Sequence, residues 1–340
     1  MSKTIFIVIA CDTDPDREYF VPDIPADELS WRGMLEGIPQ AKERLTRLVD
    51  SDNNSPCITW LLRADFQVKH FYGAYNYILS AHREFLLSLE KAGDELGWHP
   101  HFWKYDSALK SWSQNYDDLN WQTQMLDEAY NSYQEILPGR GKSVRMGWTY
   151  HNNRTIGKLD RLGVRVDLSA IPGLRIDPNQ KYSKANYFDW EITPRDSYHP
   201  SSLDFRRPAV GEENSLSILE APNYVSTSMI WGFFGAVILA KKMRDFRQVK
   251  CAFTRRSFMS TITGKPFLFK PMLTQIKQDL KKLDKVVYVT PLHPDELISN
   301  IHPVYSLENM ENNLRSILKI GQTIGAVVKF IRASDILEYV

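Results

Sequence analysis

The sequence has few cysteines, no excess of charge of either sign and no long apolar run. Its three cysteines, Cys11, Cys57 and Cys251, are an odd number at wide spacing, which excludes a disulfide framework and favours a reducing compartment. The 42 basic and 41 acidic residues leave a formal net charge of +1. No electrostatic field therefore favours nucleic acid or an anionic membrane surface, and we expect no nucleic-acid partner.

Two apolar runs are too short to be targeting or membrane segments. The run from Ile5 to Ala10 is shorter than the ~7–15 residues of a signal-peptide core. The run from Met229 to Ala240 is shorter than the ~20 residues that a helix needs to span a bilayer. We therefore expect no membrane insertion and a cytoplasmic location.

The sequence does contain a regular alternation of strand-like and helix-like segments. Strands are predicted at Ile5–Ala10, Ile58–Leu62, Asp94–Trp103, Ser143–Thr149, Val164–Leu168, Leu216–Pro222, Lys285–Thr290 and Ala326–Ile331. Helices are predicted at Ile38–Val49, Tyr75–Ala92, Asp118–Ile136, Ile156–Leu162, Met229–Arg244, Lys270–Leu283 and Leu307–Gly321. This alternation is typical of an α/β fold with a parallel sheet. We predict a distorted (β/α) barrel of seven or eight units, with an open doubly wound sheet as the alternative.

The length of 340 residues suits one barrel with insertions, so a single domain over residues 1–340 is expected. Residues 15–34 and 171–210 show no period and exceed the usual loop lengths. We expect both insertions to cover the mouth at the carboxyl ends of the strands.

Two histidines stand two residues apart at the end of a short apolar run. His99 and His101 flank Pro100, which should stop regular strand pairing at this point. On an extended chain, residues i and i+2 point to the same side, so both imidazoles could face one metal ion. A pair of this kind is more often packed or solvated, and the other strand ends decide between the two interpretations.

Further polar side chains follow other predicted strands. Asp12 and Asp14 follow the first strand, Arg145 lies in the fourth, and His293 follows the seventh. Because the carboxyl ends of parallel strands carry the chemistry of α/β folds, we expect these side chains to meet. Two histidines and a carboxylate that leave one coordination position open are the ligands of a hydrolytic zinc site. A second carboxylate can act as base there, and a third histidine as acid.

In their order, these motifs resemble the polysaccharide deacetylase family, whose shared unit is the NodB-homology domain (carbohydrate esterase family 4). The likeness spans about residues 4–298 and is carried by Cys11–Asp14, Glu95–His99, Arg145–Tyr150 and Leu292–His293. The resemblance implies a distorted (β/α) barrel. It also implies a hydrolase that uses a divalent metal, with Zn²⁺ expected, to remove an acetyl group, usually N-acetyl, from a carbohydrate.

The resemblance also implies a role for each matching residue. Asp14 and His99 become metal ligands, Asp12 the general base, Arg145 the residue that orients the base, and His293 the general acid. The family's second metal histidine lies four residues after the first, where this chain has Trp103. His101 is the nearest substitute and is predicted as the third ligand. The short spacing of Asp12 and Asp14 leaves open an exchange of their roles.

Residues at strand ends or in the insertions are candidates for substrate contact. They are Arg63, Asp65, Trp98, Tyr150, Asp189 and Tyr198. Because no export signal is expected, a further hypothesis is a substrate made in the cytoplasm, such as a nucleotide-linked or lipid-linked sugar of surface polysaccharide biosynthesis.

Three other functions fit parts of this pattern. Asp12-Thr13-Asp14 also matches the Asp-x-Asp of glycosyltransferases, but the first 11 residues leave no room for a nucleotide-binding half. The same barrel could hydrolyse a non-sugar C–N amide bond, or it could be an inactive barrel that only binds glycan. Metal content and the behaviour of an Asp12→Asn variant separate the inactive binder from an enzyme.

Overall fold

The computed structural model describes residues 3–16, 29–108, 111–176, 187–228, 257–298 and 302–339, with isolated positions between 230 and 237. The helix predicted at Met229–Arg244 lies outside the described residues apart from those isolated positions, and so does Cys251. Part of each predicted insertion, residues 17–28 and 177–186, lies outside them as well.

The fold is organised around strand β1, Thr4–Thr13. Its β-branched residues are buried on both faces: Ile5, Ile7 and Ile9 belong to the larger core, and Phe6 and Val8 to a smaller core on the other face. This two-sided burial is typical of a parallel strand covered by helices. The strand predicted from the apolar run is confirmed, and it extends further than predicted, to Thr13.

The described residues form a parallel sheet of eight strands. Its other members are β2 Ile58–Leu62, β3 Glu95–Trp98, β6 Ser143–Val144, β7 Val166–Asp167, β10 Leu219–Glu220, β11 Lys285–Leu292 and β12 Val327–Phe330. The order is β10-β7-β6-β3-β2-β1-β11, and β12 pairs with the first half of β1. The sheet curls into a half-barrel with helices around it, which confirms the predicted distorted barrel.

Helices connect and cover these strands. They are α1 Ile38–Leu45, α2 Phe66–Tyr72, α3 Tyr77–Ala81, α4 Arg83–Lys91, α5 Leu119–Ile136, α6 Asn153–Arg161, α7 Pro266–Asp279 and α8 Leu307–Ile324. A π-helical turn, Gly33–Gly37, precedes α1, and short 3₁₀ turns lie at Gly147–Thr149 and Pro294–Leu297. Two hairpins stand apart from the sheet: β4 Trp103–Asp106 with β5 Ser111–Gln114, and β8 Arg175–Ile176 with β9 Phe188–Asp189.

Several predicted elements differ in extent from the observed ones; for example, α1 ends at Leu45 and β3 at Trp98. Two further differences have a cause in the backbone angles. The helix predicted over Tyr75–Ala92 is two helices, α3 and α4, because the backbone of His82 (φ −121°, ψ 23°) leaves helical geometry between them. The strand predicted over Ser143–Thr149 ends at Val144, because Trp148 and Thr149 have positive φ values of 55° and turn the chain.

Candidate metal centre and active site

The carboxyl ends of β1 and β3, the two strands that flank β2, bring a carboxylate and two imidazoles together. Asp14 follows β1, and His99 and His101 follow β3. Nε2 of His101 lies 3.0 Å from Nε2 of His99 and 3.2 Å from Oδ1 of Asp14. Nε2 of His99 lies 3.6 Å from Oδ2 of Asp14. These three residues, called the triad below, are the group of potential metal-binding side chains found in the described part of the chain.

The spacing of the triad atoms can be compared with a zinc site. Two ligand atoms about 2.0–2.1 Å from a tetrahedral Zn²⁺ are about 3.3 Å apart. The distances of 3.0, 3.2 and 3.6 Å lie on either side of that value. Two nitrogens and a carboxylate also match the ligand types that zinc prefers, so the residues present fit a divalent metal.

The hydrogen bond of the His99 imidazole and the pKa of the His101 imidazole both suit metal binding. Nδ1 of His99 lies 2.5 Å from the carbonyl oxygen of Arg145. Because a carbonyl oxygen only accepts, Nδ1 carries the proton and Nε2 keeps its lone pair. Burial and the nearby charge of Arg63 lower the pKa of His101 to about 4, so this imidazole is neutral at pH 7.

The two acidic side chains have different surroundings. Burial alone would raise the pKa of Asp14, but its interactions with His101, His99 and Arg63 hold that pKa well below its usual range. Asp12 is almost completely buried, and Nη1 of Arg145 donates to its Oδ2. Its Oδ1 has no hydrogen-bond partner among the described residues. Asp12 therefore has one oxygen held by Arg145 and one oxygen available to accept a proton.

His293 lies on the open side of this cluster. It follows β11, and its Nε2 is 3.4 Å from Oδ2 of Asp14 and 3.8 Å from Oδ2 of Asp12. Its Nδ1 is 3.5 Å from Oε1 of Glu296. The side chain is 23% exposed, whereas that of His99 is 1% exposed. His293 is thus the most exposed side chain of the cluster.

A strained turn borders the triad. Gly147 donates its N–H to the carbonyl of Pro100 and packs against the ring of His101, so closely that a Cβ at this position would overlap the ring. The N–H groups of Thr149 and Tyr150 donate within the turn, to Met146 and Gly147 respectively. Both are therefore occupied, whereas the N–H of Trp148 has no backbone acceptor among the described residues.

Sequence reasoning missed the β4–β5 hairpin. Trp103 does not approach the triad as a ligand; its ring lies parallel to that of His101, with 6.1 Å between centroids. Trp103 and Trp112 form a small aromatic core that also contacts Trp148. The alternation of aromatic and polar residues in Trp103–Asp106 and Ser111–Gln114 was the signal that could have revealed the hairpin.

Five of the residues predicted to contact substrate are buried and bonded within the protein. Trp98 is 0% exposed and donates to the carbonyl of Ala64. The hydroxyl groups of Tyr150 and Tyr198 donate to backbone carbonyls. Arg63 and Asp65 are also buried, and they contact the triad instead.

Asp189 is the half-buried member of that set. Its Oδ2 accepts from Nη1 of Arg206 at 2.5 Å, so it already has a cationic partner. The insertion that contains it packs next to the site, because Nε1 of the buried Trp190 donates to the carbonyl of Thr149 at 2.7 Å. The insertion thus contacts the strained turn beside the triad.

A second buried polar group was also missed. His151, Asp167 and Glu220 are all buried, and Nε2 of His151 lies 2.7 Å from Oδ2 of Asp167. Burial and the charge of Asp167 raise the pKa of Glu220 well above its usual range. Asp167 and Glu220 occupy neighbouring strand ends, β7 and β10, and periodicity alone does not distinguish such residues from ordinary strand termini.

The structure was compared with known proteins. No protein-family model and no curated protein matches the chain. Within its described part, no helix is both long and apolar enough to cross a membrane.

Solved structures do match over the whole chain. One is a protein of Parabacteroides distasonis provisionally assigned as a glycoside hydrolase/deacetylase, with 13% identity and a TM-score of 0.57 over 99% of this chain and 71% of that one. Another is a protein of Mycobacterium smegmatis provisionally assigned as a polysaccharide deacetylase. It shows 15% identity and a TM-score of 0.51 over 100% of this chain and 91% of that one. The chain thus shares its fold with structures assigned as polysaccharide deacetylases, in agreement with the resemblance of its motifs.

Proposed function

We propose that the protein is a metal-dependent hydrolase that removes an acetyl group, usually an N-acetyl group, from a sugar or a glycan intermediate. The main support is the convergence of the triad with the Asp12–Arg145 pair and His293 at the carboxyl ends of the strands. The shared fold with structures assigned as polysaccharide deacetylases supports the substrate class.

Asp14, His99 and His101 would hold the metal, most suitably Zn²⁺. When bound, a divalent metal lowers the pKa of a water from about 15.7 toward about 7 and polarises a carbonyl oxygen. The neutral imidazole of His101 and the ionised carboxylate of Asp14 supply ligands at pH 7 without losing protons first. His99 is oriented by the carbonyl of Arg145, which fixes its tautomer.

Asp12 is suited to the role of general base. Arg145 holds its Oδ2, so Oδ1 remains to accept the proton of the attacking water. Water adds to the acetyl carbonyl carbon, and the N–H of Trp148, which has no backbone acceptor among the described residues, would stabilise the negative charge that develops on the carbonyl oxygen. The neighbouring N–H groups of Thr149 and Tyr150 do not serve this role, because they donate within the turn.

His293 is suited to the role of general acid. Its exposed position beside Asp14 and Asp12 allows its Nε2 to donate a proton to the nitrogen of the breaking C–N bond. The products are acetate and a free amine, and the amine leaves only when protonated because it is too basic otherwise. Asp12 and His293 thus lie on the same cluster with complementary roles.

The test uses three variants and two measurements, metal content and release of acetate from N-acetylated sugars. The parent should hold one divalent metal per chain and release acetate, and His99→Ala should lose both properties. Asp12→Asn and His293→Ala should keep the metal and lose about 10²–10⁴-fold in kcat. A parent that holds no metal, and is insensitive to added zinc or to chelator, would contradict the proposal. Activity on non-sugar acetamides alone would contradict the substrate class.

A further inference from the structure

Strand β2 lies between β1 and β3 in the sheet, so the residues that follow it stand between Asp14 and His101. These residues are Arg63 and Asp65, which are 1% and 0% exposed. They have no function in the proposed chemistry, yet they contact ligands from both neighbouring strands.

Asp65 uses both of its carboxylate oxygens. Oδ1 accepts from the backbone N–H groups of Gln67 (2.9 Å) and Val68 (3.3 Å) and so caps helix α2. Oδ2 accepts from Nε of Arg63 (2.6 Å) and from the backbone N–H of His101 (3.1 Å). One carboxylate thus ties the loop that bears His101 to the start of α2.

Arg63 continues this connection to the other side of the triad. Its Nη1 donates to Oδ1 of Asp14 at 2.5 Å, and its Nη2 donates to Oε1 of Gln67 at 2.9 Å. Because the guanidinium is planar and its donors are fixed relative to one another, the positions of Asp14 and Asp65 are coupled through one rigid group.

We propose that Arg63 and Asp65 are positioning residues that set the distance between the ligands Asp14 and His101. This inference rests on the proposed function, because it requires that the triad bind a divalent metal. Asp14 belongs to the end of β1 and His101 to the loop after β3, and the backbone pairing of β1 with β2 and β2 with β3 stops at Thr13 and Trp98. Beyond those residues, Arg63 and Asp65 supply side-chain links between the two ligands.

A purely structural role would be simpler, but it explains the arrangement less well. A buried ion pair is often no more stable than apolar side chains of the same size, and serine would cap α2 as well as aspartate does. Capping needs one oxygen of Asp65, whereas the second oxygen binds Arg63 and the His101 backbone. The links to Asp14 and His101 are the part that capping does not require.

The decisive variant is the double substitution Arg63→Gln/Asp65→Asn, which removes one positive and one negative charge together. A change in metal affinity then reports geometry and not the net charge of the site. We expect the dissociation constant for Zn²⁺, measured by chelator competition, to rise about ten- to a hundredfold. We also expect the visible absorption spectrum of the Co²⁺-substituted protein to change, because the ligand geometry changes.

The matched control is Lys42→Gln/Asp94→Asn. Asp94 is also buried, and it accepts from Lys42, from the Ile58 backbone and from Nε1 of Trp60. It lies at the opposite end of β2 and β3, so this double variant should lose stability and keep the parent's metal affinity and Co²⁺ spectrum.

Parental affinity and spectrum in Arg63→Gln/Asp65→Asn would overturn the positioning role. If circular dichroism shows that this variant does not fold, Arg63→Lys is judged by the same criterion, since lysine keeps the charge but cannot hold both carboxylates. A parent that binds no divalent metal contradicts the proposed function itself, and the positioning role falls with it. The two failures are therefore distinguishable.

Discussion

At the scale of single residues, the geometry of the site depends on close packing around the ligands as much as on polar groups. Gly147 lies against the ring of His101 and has no room for a side chain. Its N–H donates to the carbonyl of Pro100, so the turn and the loop bearing both histidines are held together. Gly147, which has no side chain, thus determines the orientation of the His101 imidazole.

We predict that Gly147→Ala weakens metal binding by at least tenfold. The added methyl group must displace the imidazole of His101 or the turn itself, since overlap of this kind is not tolerated in a packed interior. The measurement is the Zn²⁺ dissociation constant by chelator competition. Unchanged affinity would show that the turn can shift without moving His101.

Gly157→Ala is the matched control for this substitution. Gly157 lies inside α6, and a Cβ there would meet Nη1 of Arg161 at an ordinary distance of 3.6 Å. Alanine should therefore raise the free energy of unfolding by about 0.5–1 kcal/mol and leave metal affinity unchanged.

At the scale of elements, the strand ends of β7 and β10 hold a buried acidic pair. Asp167 accepts from the N–H and hydroxyl of Ser169, and Oε1 of Glu220 accepts from the N–H of Ala170. Burial and the charge of Asp167 raise the pKa of Glu220. Glu220 is therefore protonated in the folded protein over a pH range in which it is ionised in the unfolded chain.

This difference in the pKa of Glu220 makes folding dependent on pH. The folded state binds the extra proton, so the stabilising contribution is full below the unfolded pKa of about 4.3 and declines as pH rises above it. Glu220→Gln is isosteric and does not titrate, so we expect it to gain stability relative to the parent between pH 5 and pH 8. Thermal melts of both proteins at the two pH values measure this. An equal change in both proteins would show that Glu220 is already ionised when folded.

Among the secondary-structure elements, some could be predicted from the sequence and others could not. The strands β1 and β2 contain continuous runs of apolar residues rich in β-branched and aromatic side chains. Such runs strongly favour the strand conformation, which agrees with the position of both strands at the centre of the sheet. The end of β6 was not predictable in the same way. Trp148 and Thr149 have positive φ values that neither residue favours. The turn is held by tertiary contacts of Gly147 with His101 and of Thr149 with Trp190.

In the site, too, some features could be predicted from the local sequence, whereas others depend on tertiary structure. The residues expected to converge do so because strand ends in a parallel sheet meet at one edge. Sequence spacing could not show that Arg63 and Asp65 are buried behind the triad, since a charged residue after a strand is usually expected at the surface. The neighbour order β3-β2-β1 decides their surroundings, and that order is a property of the assembled sheet.

At the scale of the whole molecule, the triad joins segments far apart in the chain. Asp14 comes from the first strand, and His99 and His101 from a loop more than eighty residues later. A ligand that binds the folded state and not the unfolded chain stabilises the fold by RT ln(1 + [L]/Kd). A metal bound by this triad would therefore stabilise the contact between these segments as well as supply chemistry.

We predict that Zn²⁺ at 100 times its dissociation constant raises the free energy of unfolding by about 2.7 kcal/mol. His101→Ala should abolish this gain, because a ligand is lost. His82→Ala should keep the gain, because His82 lies between α3 and α4, away from the triad. The measurement is denaturant unfolding of each protein with and without the metal. An equal gain in the parent and in His101→Ala would mean that zinc binds elsewhere on the folded chain and not at the triad.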